Sequence, residues 1–336
     1  MAATKKGKTK ITKETYIEWY KLMLRIRRLE EKSAQMYGQQ KIRGFLHLYI
    51  GQEAIAAGLW SSTRPDDPII TAYRDHGLGM MRGISSKAAM AELYGKKTGS
   101  TQGKGGSMHF FNVKERFYGG HGIVGGHIPL GTGIAFAEQY KGTDNVCVTL
   151  MGDGAVRQGS FHEAINMGAM WKVPCVYIIE NNGYAMGTAV KRSGAVEELY
   201  KLGCAFDIPH EPVDAMHPQN VHDAMEKALA HCRDGKGPYL LEFRTYRYKG
   251  HSMSDPAKYR TKEELQQYKD KDPIATLAHE ILDKGYMKEE DIKAIQNDVK
   301  QEIQEAVEFA EESPYPDESA LYEDIYVQQD YPFIKD

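Results

Sequence analysis

The sequence predicts an α/β fold: a doubly wound, mostly parallel sheet with helices on both faces and helical extensions at the N- and C-terminal ends. Three observations lead there. Residues 146–151 and 173–179 are near-continuous apolar runs, as strands must be when both of their faces are covered. Between them, residues 158–171 carry a helical pattern. The alternation then recurs, with a helix expected over 219–232 and a strand over 239–245.

Each element follows in order. Residues 1–10 are rich in lysine and lack both an apolar stretch and arginine, so they read as a disordered, solvated tail rather than a targeting peptide. From 12 to 40, Ile17, Tyr20 and Leu24 fall at spacings of three and four among charged residues, the mark of a long surface helix. Residues 68–73 form a short apolar strand that runs into Arg74-Asp75-His76-Gly77, a strand-end loop of the kind that carries function. The stretch 96–133 is crowded with glycine, which implies close backbone approach to something. A polar loop over 247–260 leads to Thr261 and Glu264, spaced for a capping box. Ile292, Ile295, Val299, Ile303 and Val307 then place a stripe along a C-terminal helix. No linker or repeat divides the chain, so residues 11–336 are expected to form one domain.

Composition narrows the partners. A formal net charge of −3 offers no global basic surface for nucleic acid. No run reaches the roughly 18 apolar residues of a membrane span. Four scattered cysteines without a Cys-x-x-Cys pair suit buried thiols in a reducing compartment, and the cytoplasm is the expected location.

The chemistry centres on Gly152-Asp153-Gly154 and Asn181-Asn182. Asp153 ends the first apolar strand and Asn182 the second, 29 positions later, with one helix between. A right-handed crossover brings both to the same carboxyl edge of the sheet, on neighbouring strands, where they can share one ligand. A carboxylate and an amide oxygen, completed by a backbone carbonyl, water and phosphate oxygens, suit Mg²⁺, which usually keeps a phosphate as its other partner. Gly152 and Gly154 let backbone N–H groups approach that anion.

This spacing resembles the thiamin diphosphate motif, and its neighbours resemble the alpha subunits of 2-oxo acid dehydrogenases, those acting on pyruvate in particular. The resemblance spans most of the chain and runs through Arg43-Gly44-Phe45-Leu46-His47-Leu48-Tyr49-Ile50-Gly51-Gln52-Glu53-Ala54, Tyr73-Arg74-Asp75-His76-Gly77, Gly103-Lys104-Gly105-Gly106-Ser107-Met108-His109, Gly122-Ile123-Val124-Gly125 and Tyr246-Arg247-Tyr248-Lys249-Gly250-His251-Ser252-Met253-Ser254-Asp255-Pro256. It implies thiamin diphosphate and Mg²⁺ as cofactors, with Asp153 and Asn182 ligating the metal by side chain and Tyr184 by its carbonyl. It implies that Tyr73, Arg74, Gly152, Gly154, Ala155, Arg247 and His251 line the diphosphate, and that Gly122 and Val124 meet the aminopyrimidine. His47 and His251 are the implied catalytic residues, since imidazole can move protons at neutral pH. His109, His121 and His127 are left without a role.

The implied reaction is oxidative decarboxylation of pyruvate with acetyl transfer to the lipoyl group of a dihydrolipoyl acetyltransferase. The implied partner is a beta subunit that supplies the activating glutamate in an α₂β₂ tetramer. An acetoin dehydrogenase or another 2-oxo acid dehydrogenase alpha subunit is the nearest alternative. A non-catalytic structural subunit is opposed by intact Asp153, Asn182, His47 and His251.

Two features depart from the pattern or mislead. Gly126-His127 stands where the resemblance leads one to expect a small residue and glutamine, and Ser252 matches the regulated serine of animal members while the second serine beyond Pro256 is missing. Gly120-His121-Gly122-Ile123-Val124-Gly125 spells the dinucleotide fingerprint, but it follows aromatic and glycine residues and no acidic residue sits at the expected distance after a second strand, so a nicotinamide site is rejected.

Overall fold

A computed structural model describes residues 11–326, so the tail expected at 1–10 lies outside the described residues. The chain opens with α1 (Lys13–Gly38), where the Thr12 and Thr15 hydroxyls each accept the other's backbone N–H. There follow α2 (Glu53–Ser62), β1 (Ile69–Ala72), the short α3 (His76–Met81), α4 (Ser86–Leu93), β2 (Phe117–His121), α5 (His127–Lys141), β3 (Cys147–Gly152), α6 (Gly159–Trp171) and β4 (Cys175–Asn181). A small hairpin of β5 (Tyr184–Ala185) and β6 (Thr188–Ala189) precedes α7 (Val190–Ser193), β7 (His210–Asp214), α8 (Pro218–Arg233) and β8 (Tyr239–Arg244). Three helices close the chain: α9 (Lys262–Lys269), α10 (Pro273–Asp283) and α11 (Glu289–Glu312).

Six strands pair in the order β2-β1-β3-β4-β8-β7, each neighbour parallel. Because side chains alternate along a strand, the continuous apolar runs feed two cores. Val148, Leu150, Val176, Ile178, Leu241 and Phe243 join the layer that includes α1, α2, α8 and α11, whereas Cys147, Met151, Cys175, Tyr177 and Ile179 face α5 and α6. The N- and C-terminal helices thus thicken one face of the sheet. β7 is an edge strand, which is why it tolerates Pro212.

Two elements inside the glycine-rich stretch escape the periodicity reading. β2 is spelled with two glycines and α5 carries Pro129, Gly131 and Gly133, so propensity argues against both. Pairing overrides it: β2 is held by β1, and an added Cβ at Gly131 would meet Thr149 Oγ1 on the sheet. Most of the expected close approach in this stretch is also internal. The buried Glu92 carboxylate of α4 accepts backbone N–H groups from Thr101, Gly103, Gly105 and Gly106 at 2.8–2.9 Å, so the loop wraps a side chain of its own chain.

Four charge-assisted bonds converge on that one group. Glu92→Ala leaves the four amides unpaired in a buried site and is expected to lower stability by more than about 3 kcal/mol, with Glu92→Gln losing less. Denaturant unfolding of the two variants checks both the size and the order.

Candidate active site

The chain leaves β1 outward to β2, then passes back over β1 to β3, so the strand order reverses between β1 and β3. At such a reversal the loops diverge and open a crevice at the carboxyl edge. Here it is a cavity of about 420 Å³, within the roughly 300–1,000 Å³ of small-molecule sites. The ends of five strands line it: Tyr73 and Arg74 after β1, Gly122 and Val124 after β2, Gly152, Asp153, Gly154 and Ala155 at β3, Asn182 after β4, and Arg247 and His251 after β8. His47 and Tyr184 complete the set. All the residues singled out for the site therefore face one space.

Asp153 is buried, and its Oδ2 has no hydrogen-bond partner. Burial pushes its carboxyl up to about 6, against the pull of Arg247 and Arg157. Asn182 donates from Nδ2 to Gln52 Oε1 at 3.1 Å, which turns its Oδ1 toward the Tyr184 N–H and Arg247 Nη1. The same Arg247 nitrogen donates to the Tyr184 carbonyl at 3.3 Å. An orphaned carboxylate oxygen, an amide oxygen and a backbone carbonyl thus lie around the cavity as hard oxygen donors, which fits a small divalent cation. Among the described residues no group of three His, Cys, Asp or Glu gathers to hold an ion.

Two polar residues here were missed by sequence reasoning. Glu180, fully buried at the end of β4, accepts from the Tyr49 hydroxyl at 2.7 Å and from Gln52 Nε2 at 3.4 Å. Burial raises it to about 7. The carboxylate fixes which way the Gln52 amide points, and Gln52 in turn fixes Asn182. The only sequence signal was adjacency: Glu180 directly precedes Asn181-Asn182, and Gln52 sits inside a quoted motif.

The basic residues set the electrostatics. Arg74 is buried and donates to the Leu48 and His251 carbonyls at 2.6 and 2.8 Å, and burial together with Arg247 lowers it to about 10. Burial first, then the field of Arg74, lowers His47 to about 4 and His251 to about 3, so both imidazoles are neutral. His47 Nδ1 lies 2.9 Å from the His251 carbonyl, which can only accept, so Nδ1 carries the proton and Nε2 keeps its lone pair. Ser252 is buried beside this pair with its Oγ 2.9 Å from Ser254 Oγ.

Three expectations need correction. The fingerprint at Gly120 to Gly125 does follow a strand, β2, and does open a helix, α5. What it lacks is the adjacent second strand, because β1 lies between β2 and β3. Cys204 is exposed, not buried, with its sulfur 3.3 Å from His210 Nε2, because it lies on the outer face of the 3-10 segment Leu199–Phe206 that precedes the edge strand. Only half of the capping box forms: Thr261 Oγ1 accepts the Glu264 N–H, but the Glu264 carboxylate is taken by the Tyr184 and Tyr246 hydroxyls.

The fold and cavity define an α/β protein with a cavity at the carboxyl edge of a parallel sheet, lined by two buried arginines and by hard oxygen donors. Residues 21–319 match the family described as Dehydrogenase E1 component, and the chain belongs to that family. It is 52% identical over 322 residues to the pyruvate dehydrogenase E1 component subunit alpha of Rickettsia conorii, covering 96% of this chain and 99% of that one. It is 49% identical over 315 residues to the Rhizobium meliloti protein of the same name, covering 94% and 90%. The human somatic, mitochondrial form is 48% identical over 327 residues, covering 97% and 83%. Membership of the family implies thiamin diphosphate as the cofactor.

Of the uncommitted histidines, His109 and His121 bond to the Gly120 and Tyr118 carbonyls, and His127 is fully buried with Nε2 2.7 Å from the Leu150 carbonyl. Burial lowers His127 to about 4, and its place at the positive end of α5 also opposes a proton. Below its unfolded value of about 6.5 the unfolded chain binds a proton that the folded chain refuses, so stability falls as pH drops toward 4. About 3 kcal/mol of that loss belongs to this one ring. His127→Gln is expected to flatten the pH dependence of the unfolding free energy between pH 6.5 and 4; an unchanged slope sinks the assignment.

Proposed function

We propose that this chain is the alpha subunit of a pyruvate dehydrogenase and holds the diphosphate end of thiamin diphosphate through Mg²⁺. The observation that carries this reading is the unpaired, buried Oδ2 of Asp153, set with the Asn182 amide and the Tyr184 carbonyl around a cavity at the strand reversal. In this reading those three groups hold the metal. Tyr73, Arg74, Arg247 and the backbone of Gly152, Gly154 and Ala155 receive the diphosphate, while Gly122 and Val124 meet the aminopyrimidine.

When bound, thiamin diphosphate would supply the electron sink that stabilises the electron pair left behind as carbon dioxide departs. The chain's own contribution is orientation and proton handling. A diphosphate offsets the positive field of Arg74 and Arg247, which raises His47 and His251 from their low values toward the range where imidazole works as acid or base. His47 Nε2, unprotonated, is the acceptor available to a reacting group.

The carboxylates that line the cavity are both committed, Asp153 to the metal and Glu180 to Tyr49 and Gln52. In this reading, as the family resemblance implies, the acid that activates the aminopyrimidine comes from a beta subunit, in an α₂β₂ tetramer that passes acetyl to the lipoyl group of a dihydrolipoyl acetyltransferase. An apolar surface supports such a partner: Ile123 beside the cavity is 80% exposed, and Phe136, Tyr140, Met170 and Trp171 are open on α5 and α6. The names of the relatives favour pyruvate over acetoin. Residues 11–326 act as one domain in this reading, and the remaining residues of the expected domain, 327–336, lie outside the described residues. The cytoplasm is the proposed location, on four free thiols and no described helix long and apolar enough to cross a membrane.

The reading is tested on the complex with its beta subunit. Calorimetry is expected to show thiamin diphosphate and Mg²⁺ binding that falls at least about 100-fold in Asp153→Ala. With an artificial electron acceptor, pyruvate should turn over on the order of 1–10³ s⁻¹, with acetoin and longer 2-oxo acids slower, and the chain without beta subunit should be nearly inactive. Unchanged binding in Asp153→Ala, or full turnover by the isolated chain, overturns the reading.

A further inference from the structure

The segment that carries His47 has no regular secondary structure, yet it presents the side chain on which the function reading depends. Its backbone is fastened at two alternate amides. The His47 N–H donates to Ser107 Oγ at 3.0 Å, and the Tyr49 N–H donates to Glu30 Oε1 at 2.9 Å. One ring joins the two acceptors. His76 Nδ1 lies 3.0 Å from Glu30 Oε1, and His76 Nε2 lies 2.9 Å from Ser107 Oγ. The circuit is closed and dry: Glu30 and His76 are fully buried, and Ser107 is 7% exposed.

Three separate elements must cooperate to build it, since Glu30 lies on α1, His76 opens α3 and Ser107 lies in the glycine-rich segment. A buried carboxylate-imidazole pair returns little stability once desolvation is counted, and apolar residues of the same volume would serve a core as well. What such residues cannot do is accept two specific backbone N–H groups. Between the two amides, the Leu48 carbonyl accepts from Arg74, and the same guanidinium donates to the carbonyl that fixes the His47 ring. Burial disfavours the charged His76, but the Glu30 carboxylate outweighs it and holds the ring's pKa above its ordinary value.

We infer that Glu30, His76 and Ser107 form a positioning clamp for His47, fixing the backbone from which its ring reaches the reacting atoms. These residues touch neither cofactor nor substrate and act through His47. The clamp rests on the function reading for its purpose, but its geometry does not.

The test uses the complex with its beta subunit and the mild variants Ser107→Ala and Glu30→Gln, each alone and with His47→Ala. Ser107→Ala is expected to lower kcat by about 10- to 100-fold, the size of a misplaced catalytic group. The KM for pyruvate and the affinity for thiamin diphosphate should stay within about twofold, and in the His47→Ala background the further loss should be under about twofold. Hydrogen exchange at the His47 and Tyr49 amides should accelerate together, by at least about tenfold. Full additivity with His47→Ala, a fall in cofactor affinity that parallels kcat, or unchanged exchange overturns the clamp. If the wild-type complex binds thiamin diphosphate but leaves pyruvate untouched, the function reading fails, and the exchange measurement still decides the clamp.

Discussion

The site exists because two neighbouring parallel strands, β1 and β3, send their chains in opposite directions at the carboxyl edge. Pairing puts Ile69 beside Val148 and Ile70 beside Thr149, so the strands cannot separate, while the loops that follow them must. The gap between those loops receives residues from strands far apart in sequence, and each arrives through the same edge. Both apolar layers serve this arrangement by holding the sheet between helices, leaving its carboxyl edge open to a ligand.

Buried charge is the cost of that opening. Arg74, Arg247, Asp153 and Glu180 all sit nearly out of water around one cavity. The displaced proton affinities of Arg74, Asp153 and Glu180 have one shared cause, desolvation, and the cations push the two imidazoles the same way. In the proposed reading a diphosphate and a divalent cation are the complementary charges: the anion would offset the arginines and the cation would take the unpaired oxygen of Asp153. In the chain by itself, Arg247 stands opposite the oxygens of Asn182 and Tyr184.

Much of what looks like ligand-binding sequence is self-binding. The glycines from 99 to 106 close around Glu92, and Gly120 leaves room for the buried Asp75 carboxylate, which burial holds up to about 8. Gly122 and Gly125, further along the same stretch, line the cavity. Glycine density measures how closely a backbone approaches a neighbour, and it carries no mark of whether that neighbour is a ligand or a side chain of the same protein.

The sequence by itself determined the layers and the central pair of anchors. Continuous apolar runs report two-sided burial, and the strand-helix-strand pattern with a spacing of 29 positions puts Asp153 and Asn182 at one carboxyl edge, where β3 and β4 do pair as neighbours. The sequence could not disclose β2 and α5, whose glycines and proline oppose their own propensities, since the pairing that rescues them comes from β1 and the sheet. Nor could it disclose that Glu30, His76 and Ser107 meet, or that Glu180 turns the Gln52 amide toward Asn182. Local pattern is set by solvent on one side and core on the other. A hydrogen bond between side chains on separate elements is set only when the whole chain has packed.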